Sequence, residues 1–348
     1  MNVWDLERLA EAGLEAGPWG YYAGAAGDER TLADNRAAWG RRHLRPRVLV
    51  DVTEIDASTT VLGIDVALPV LVAPVALQKM AHPDGEAGMA RAAAAAGTAM
   101  CLSTIATSTP SEVRAGAPDA DLIFQVYVMR DRGITRHLVD EAVDCGFRAL
   151  MLTVDAPRAG RRERDLRTGF GVPPGISMPA VDAAVGHTDG VTPAEFFSLV
   201  DTAVTWKDVE RMAADSPVPF VIKGIHTGED ARLAVEHGAA GVVVSNHGGR
   251  QLDGVAATAD VLPEVVDAVG GRCEVLVDGG IRRGTDVLTA LALGADAVMI
   301  GRPALWGLAA GGEEGARAAL RLFQDEIDLG LLLLGTPTLA DVTRAHVD

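Results

Sequence analysis

Residues 219–246 read PFVIKGIHTGEDARLAVEHGAAGVVVSN. An apolar run at 219–223 gives way to a stretch with apolar residues at helical spacing (228–237), and a second apolar run follows at 241–245. Apolar runs joined through a helix mark parallel strands buried on both faces. The same rhythm continues outward in both directions. Candidate strands lie at 69–74, 98–103, 122–127, 149–155, 219–223, 241–245, 274–278 and 297–301, with helical stretches at 85–96, 134–145, 228–237, 261–269 and 284–293. Eight such units match an α/β chain closed into a (β/α)8 TIM barrel. A doubly wound sheet usually has fewer strands and a G-x-G-x-x-G turn after the first, a motif not found here.

The 348 residues are expected to form one domain. Residues 1–60 form a helical segment with helices at 6–14 and 30–39, serving as lid or floor, and 61–348 form the barrel. One connection breaks the rhythm. Residues 168–205, after the fourth strand, carry GVPPG and GHTDG with little periodicity. A loop this long is commonly functional, and after a barrel strand it lies at the catalytic face, so an active-site lid is expected.

Composition narrows the function. The chain has 31 basic and 48 acidic residues, a net charge of −17, so bulk charge cannot hold nucleic acid or an anionic membrane. Partners are expected to be small molecules or protein. Cys101, Cys145 and Cys273 stand far apart without a CxxC pair, which suggests neither a disulfide framework nor a metal site and fits a reducing cytoplasm. No apolar run reaches the roughly 18 residues needed to span a bilayer.

Chemistry in a barrel collects at the C-terminal strand ends, and these ends are polar: Ser103, Gln125 with Tyr127, Thr153 with Asp155, Lys223, Ser245-Asn246-His247, Asp278-Gly279-Gly280 and Gly301-Arg302. One polar end is commonly a helix cap. Seven together point to a site. VDGGIRRG and MIGRP place glycines beside Arg282 and Arg302 after the seventh and eighth strands, a recurrent phosphate-binding position. In SNHGGRQLDG, His247 can take a proton and Arg250 can hold a carboxylate bidentately, with Asp155 available to stabilise the imidazolium. The run 157–167 adds five arginines, one of which is expected to reach an anionic substrate while the others are solvated or paired with Glu163 and Asp165. Tyr127, at a strand end, can hydrogen-bond a substrate oxygen.

With these residues in view, the chain resembles the FMN-dependent α-hydroxy acid oxidases and dehydrogenases, the family of glycolate oxidase, lactate oxidase and mandelate dehydrogenase. The resemblance covers nearly the whole chain. It is carried by SNHGGRQLDG, VDGGIRRGTDVLTALALGA, IGRP, TVDAPRAGRRERD, FQVYV, APVALQKMAHPDGE and YYAGAAGDERTLADNRAAW. It implies FMN over the barrel mouth, with Ala73, Pro74, Val75, Ala76, Ser103, Gln125, Thr153 and Lys223 around the ring and ribityl chain. Ser245 and Gly279 belong to the same cofactor set. Lys223 would stabilise negative charge on the reduced ring near N1 and O2. Asp278 would hold the ribityl hydroxyls, and Gly280, Arg282, Gly301 and Arg302 the phosphate. On the substrate side, Tyr21, Arg162 and Arg250 would grip the carboxylate, Tyr127 the hydroxyl oxygen, and His247, supported by Asp155, would remove the proton.

The implied reaction is oxidation of an (S)-2-hydroxy acid to the 2-oxo acid, with O2 reduced to hydrogen peroxide or another acceptor in its place. A homotetramer is also implied, and no metal. Ile105 stands where glycolate oxidase has a tryptophan, which leaves room for a mandelate-like aryl substrate; lactate and glycolate are the alternatives. The loop has only a short apolar cluster at Phe196-Phe197, unlike the membrane-seeking insert of the membrane-bound mandelate dehydrogenases. Two other readings stand beside this one: a Schiff-base aldolase using Lys223, and a flavin carrier without catalysis.

Overall fold

The computed structural model describes residues 1–348, the side chain of Val185 excepted. Three helices open the chain: α1 (Val3–Gly13), α2 (Ala16–Ala23) and α3 (Arg30–Gly40). An antiparallel hairpin follows, β1 (Thr59–Val61) and β2 (Ile64–Val66), turned through Leu62 and Gly63, both at positive φ as a two-residue hairpin turn requires. Then come the eight barrel strands: β3 (Val70–Val72), β4 (Ala99–Leu102), β5 (Asp121–Val126), β6 (Ala149–Thr153), β7 (Phe220–Ile225), β8 (Gly241–Val244), β9 (Glu274–Val277) and β10 (Ala297–Ile300). Each pairs in parallel with its neighbour, and β10 returns onto β3 with Val298 opposite Val70, so the sheet closes. The TIM barrel expected from the apolar rhythm is the observed fold.

Strand periodicity explains where the site falls. Leu71, Cys101, Ile123, Met151, Val221, Val243, Leu276 and Met299 point inward and fill the barrel with apolar atoms. Val61, Ile64 and Val66 of the hairpin join this cluster and plug the N-terminal end, with Leu62 N held by Glu274 at 2.9 and 3.0 Å. Side chains alternate along a strand, so the next inward layer lies two residues on. That layer is Ala73, Ser103, Gln125, Thr153, Lys223, Ser245, Asp278 and Gly301. The polar strand ends are therefore one ring facing the barrel mouth.

The segment 1–60 reaches the mouth, which Tyr21 and Tyr22 of α2 line, while the floor is formed by the hairpin at 59–66, almost wholly outside that segment. Residues 168–205 contain two short helices, Pro179–Val185 and Pro193–Ser198, each with proline in its first turn. This segment packs over the catalytic face, with Phe196 and Phe197 edge-on to Tyr127. After β10 comes a long helix, Arg302–Leu334, broken at Gly311-Gly312, followed by two 3-10 turns at Leu339–Asp341 and Arg344–His346. Among the described residues no helix is long and apolar enough to cross a membrane.

Candidate functional site

The ring of strand ends opens into a cleft with about 1010 Å³ of empty space, the open solvent at its mouth included. Ala73, Pro74, Val75, Ala76, Ser103, Gln125, Thr153, Lys223, Asp278, Gly279, Gly280, Arg282, Gly301 and Arg302 line one part of it. Tyr21, Ile105, Tyr127, Arg162, His247 and Arg250 line the other. Two of the expected residues stand behind the wall. Asp155 reaches the cleft through His247, and Ser245, almost fully buried, through Lys223.

Lys223 Nζ donates to Ser245 Oγ at 2.9 Å and pairs with Asp278 Oδ2 at 3.1 Å. Burial would lower its pKa, but Asp278 and Asp155 outweigh that and raise it. The amine is thus a fixed cation, which argues against the aldolase reading, since Schiff-base formation needs the free base. Ser103 Oγ donates to Gln125 Oε1 at 3.2 Å, leaving Gln125 Nε2 without a partner. Thr153 Oγ1, Asp278 Oδ1 and Arg282 Nε are also buried and unpaired.

Three arginines at the cleft are almost entirely buried or face other cations. Arg282 is lowered to about 10 by burial and by Arg36, and Arg162 to about 10 by burial and by Arg250. Arg302 is lowered well below the ordinary range by burial, Arg250 and Arg282. It donates to the backbone oxygens of Tyr22 (2.9 Å), Gly24 (2.8 Å) and Gly248 (3.1 Å), which uses three of the five N–H donors of a guanidinium and leaves its charge unneutralised. Buried cations without anions are costly, so the cleft is built for anionic ligands.

His247 sits at φ +58° after β8, and its Nδ1 lies 2.9 Å from Asp155 Oδ1. Burial pushes the imidazole below its ordinary value, with Lys223 and Arg162 adding to this and Asp155 opposing it. Burial would raise the Asp155 carboxyl, but His247 and Lys223 more than offset that and hold it below its usual range. Burial also raises the Tyr127 phenol far above its ordinary value, so it stays a hydrogen-bond donor. The Arg250 and Arg162 guanidiniums stand 4.9 and 5.8 Å from the centre of the Tyr21 ring, which stacks on Phe170 at 4.6 Å.

One expectation about the basic run needs correcting. Arg167 does pair with Glu163, but Arg164 reaches back to Glu29 at 2.6 and 2.8 Å, and Asp165 makes no ion pair among the described residues. Helix α2 packs on the segment that carries Arg164, a Cβ at Gly24 lying 3.2 Å from Arg164 Cδ, and Glu29 comes within its reach, a proximity no local spacing reveals. The sequence reading placed Phe197 in the expected lid without assigning it to the cleft wall, and it held no sign of Tyr22 or Leu305 there. Phe197 enters from the 168–205 segment, and Tyr22 from a helix whose AGPWGYYA sequence has too many glycines to show a period.

The family model for FMN-dependent dehydrogenase matches residues 10–348, and the chain belongs to that family. Among its relatives, the L-lactate oxidase of Nostoc sp. is 48% identical over 356 residues, covering 100% of this chain and 98% of that protein. The glycolate oxidase of Spinacia oleracea is 47% identical over 351 residues, covering 99% and 95%. The crystal structure of mandelate oxidase with (S)-4-hydroxymandelic acid superposes with a TM-score of 0.93 at 42% identity, covering 100% of this chain and 98% of that one. The residues present fit FMN. The unpaired Gln125 Nε2, Thr153 Oγ1 and Asp278 Oδ1 offer donors and an acceptor to a polar ring edge and a polyol. Arg282 and Arg302 face the glycine turns where a phosphate needs them, and a Cβ at Gly301 would project beside Ala73 and Val75 at 3.8 and 3.6 Å.

Proposed function

We propose that the protein oxidises an (S)-2-hydroxy acid to the 2-oxo acid and passes the electrons to O2, giving hydrogen peroxide, with a mandelate-like aryl acid as substrate. The observation that carries this reading is the convergence of the His247–Asp155 pair and the Arg162–Arg250 pair on one cleft with the FMN donor set. The first pair handles a proton and the second a carboxylate. FMN, when bound, supplies the two-electron acceptor between substrate and O2.

The chain's own residues do the rest. Ala73 to Ala76, Ser103, Gln125, Thr153 and Lys223 hold the ring and ribityl chain, with Gly279 beside them and Ser245 behind Lys223. Asp278 takes ribityl hydroxyls, and Gly280, Arg282, Gly301 and Arg302 take the phosphate. Arg162 and Arg250, braced by Tyr21, bind the substrate carboxylate. Tyr127 donates to the hydroxyl oxygen. His247 Nδ1, bonded to Asp155, carries its proton there, which leaves Nε2 to accept the proton of the substrate. Asp155, held ionised, then stabilises the imidazolium. General-base catalysis of this kind contributes about 10²–10⁴ in rate.

The substrate class rests on Ile105. Behind it lies a small cavity, sharing Tyr21, Ile105 and Phe197 with the cleft and otherwise lined by side chains such as Phe170, Val172, Met178 and Phe196. Apolar side chains gather on the Ile105 side of the cleft, the lining an aryl substituent would contact. The higher identity to lactate and glycolate oxidases favours a second reading with a short-chain acid. Specificity constants for (S)-mandelate, lactate and glycolate, with peroxide quantified, decide between them. A preference for mandelate of about tenfold or more supports the aryl reading, and a preference for either small acid overturns it. The tetrameric assembly and cytoplasmic setting are part of the same proposal, the first tested by native mass measurement.

A further inference from the structure

The catalytic groups come from two loops, one after β6 (Asp155 to Arg162) and one after β8 (His247 to Arg250). Their relative placement decides whether His247 meets Asp155 and whether Arg162 meets Arg250. Between the loops stands Gln251, partly buried and one residue past Arg250. Its Nε2 donates to the backbone oxygens of Asp155 (3.1 Å) and Arg158 (2.8 Å). Its Oε1 accepts from Gly160 N at 3.2 Å and from Arg162 Nη2 at 3.5 Å. One amide therefore touches the residue that supports the base, the turn between, and a carboxylate-binding arginine.

The surrounding backbone leaves little slack. A Cβ at Gly160 would lie 2.2 Å from Arg250 O and 2.7 Å from Gln251 O, so the two loops are already in backbone contact. A Cβ at Gly224 would lie 2.7 Å from Asp155 Cβ, which closes the other side. Arg162 Nε also donates to Arg250 O at 3.3 Å, a direct link between the two arginines that Gln251 reinforces from one residue away. An amide is the side chain this position needs, because it must donate twice and accept on its other atom.

We propose that Gln251 is a positioning residue for the reaction: it locks the β6 loop to the β8 loop, and so sets the His247–Asp155 contact and the spacing of Arg162 from Arg250. This rests on the roles given above to those four residues. Gln251 acts through them and touches neither substrate nor cofactor.

The test uses the FMN-loaded enzyme and the volume-conserving variant Gln251→Met. A misplacement of about 1 Å far from the chemistry can cost about 10²-fold, so kcat/KM is expected to fall about ten- to a hundredfold. The acid limb of kcat/KM against pH is expected to move to lower pH. His247 faces Asp155, Lys223 and Arg162, and shares the cleft with Tyr127 and Arg250; of these only Asp155 holds its proton on, so loosening that contact lowers the pKa further. FMN affinity, read by quenching of flavin fluorescence, is expected to stay within about threefold, because none of the four contacts of Gln251 is to a cofactor-facing side chain.

A double-mutant cycle with Asp155→Asn separates positioning from general damage. If Gln251 acts through Asp155, Gln251→Met costs clearly less in the Asp155→Asn background than in wild type. Additive losses, an unmoved acid limb, or loss of FMN from the Gln251→Met protein would each overturn the proposal. Failure of the underlying reading shows separately: Asp155→Asn alone would then leave rate and pH profile unchanged.

Discussion

At the scale of single residues, His247 carries the proton transfer and Ile105 the choice of substrate. His247→Ala should keep FMN and lose turnover by about 10²–10⁴, since the imidazole acts on the substrate proton and not on the cofactor; near-normal turnover by a flavin-loaded variant would remove His247 from the reaction. The wild-type pH profile carries a sign. A base must be neutral to act, and burial holds His247 below the ordinary histidine value of about 6.5. The rate should therefore persist below that pH and fall only as pH drops through the lowered pKa. An acid limb centred above pH 6.5 would contradict the environment described for the ring. Ile105→Trp probes the apolar side of the cleft: overfilling a packed pocket costs roughly 1–3 kcal/mol, or about ten- to a hundredfold in specificity. Mandelate should suffer and glycolate should not. Equal losses for both acids would mean that Ile105 does not border the substituent.

At the scale of elements, the site depends on how α3 and the strand-end turns fit together. Gly280 lies at φ +83°, and a Cβ there would stand 2.0 Å from Asn35 O and 3.0 Å from Arg36 N. Asn35 in turn exchanges side-chain hydrogen bonds of 2.8 Å with Asn246, the residue before His247. Gly280→Ala should therefore push α3 off the phosphate turn and raise the FMN dissociation constant about tenfold or more. Gly63→Ala is the control, at φ +72° with no neighbour within 4 Å, and should leave FMN binding unchanged. Equal FMN affinity in the two variants would contradict this reading of the turn.

The eight strands were legible because each is an apolar run between glycine-rich breaks, and the strand-end residues because a polar group closing such a run is conspicuous. The same local signals were silent elsewhere. Helices Pro179–Val185 and Pro193–Ser198 span only seven and six residues, too few to show a period, and their opening prolines read as breakers when they are first-turn residues. The hairpin at 59–66 is short in the same way, whereas the 33-residue last helix stood outside the expected helices, and its Gly311-Gly312 pair reads along the chain as a loop signal. Long-range pairings such as Arg164 with Glu29, and the bracing of two loops by Gln251, depend on the closed barrel and on no spacing along the chain.

At the scale of the whole molecule, a chain of net charge −17 keeps its buried positive charge at the cleft, where Arg162, Arg282 and Arg302 lack a carboxylate partner among the described residues. Such a site focuses anions and is destabilised without them. Ligand that binds only the folded state at a hundred times its dissociation constant adds about 2.7 kcal/mol, so FMN should raise the Tm of the apoprotein in a concentration-dependent way. Inorganic phosphate should give a smaller rise, and chloride at equal ionic strength none. Identical Tm values in phosphate and chloride would argue against a phosphate subsite at Arg282 and Arg302.

The most direct measurement of the central claim is anaerobic. The purified yellow protein, mixed under nitrogen with one equivalent of (S)-mandelate per flavin, should lose its flavin absorbance as the acid becomes the 2-oxo acid; air should then restore the colour with one hydrogen peroxide formed per flavin. Flavin absorbance that stays unchanged with (S)-mandelate, lactate and glycolate alike would contradict the account.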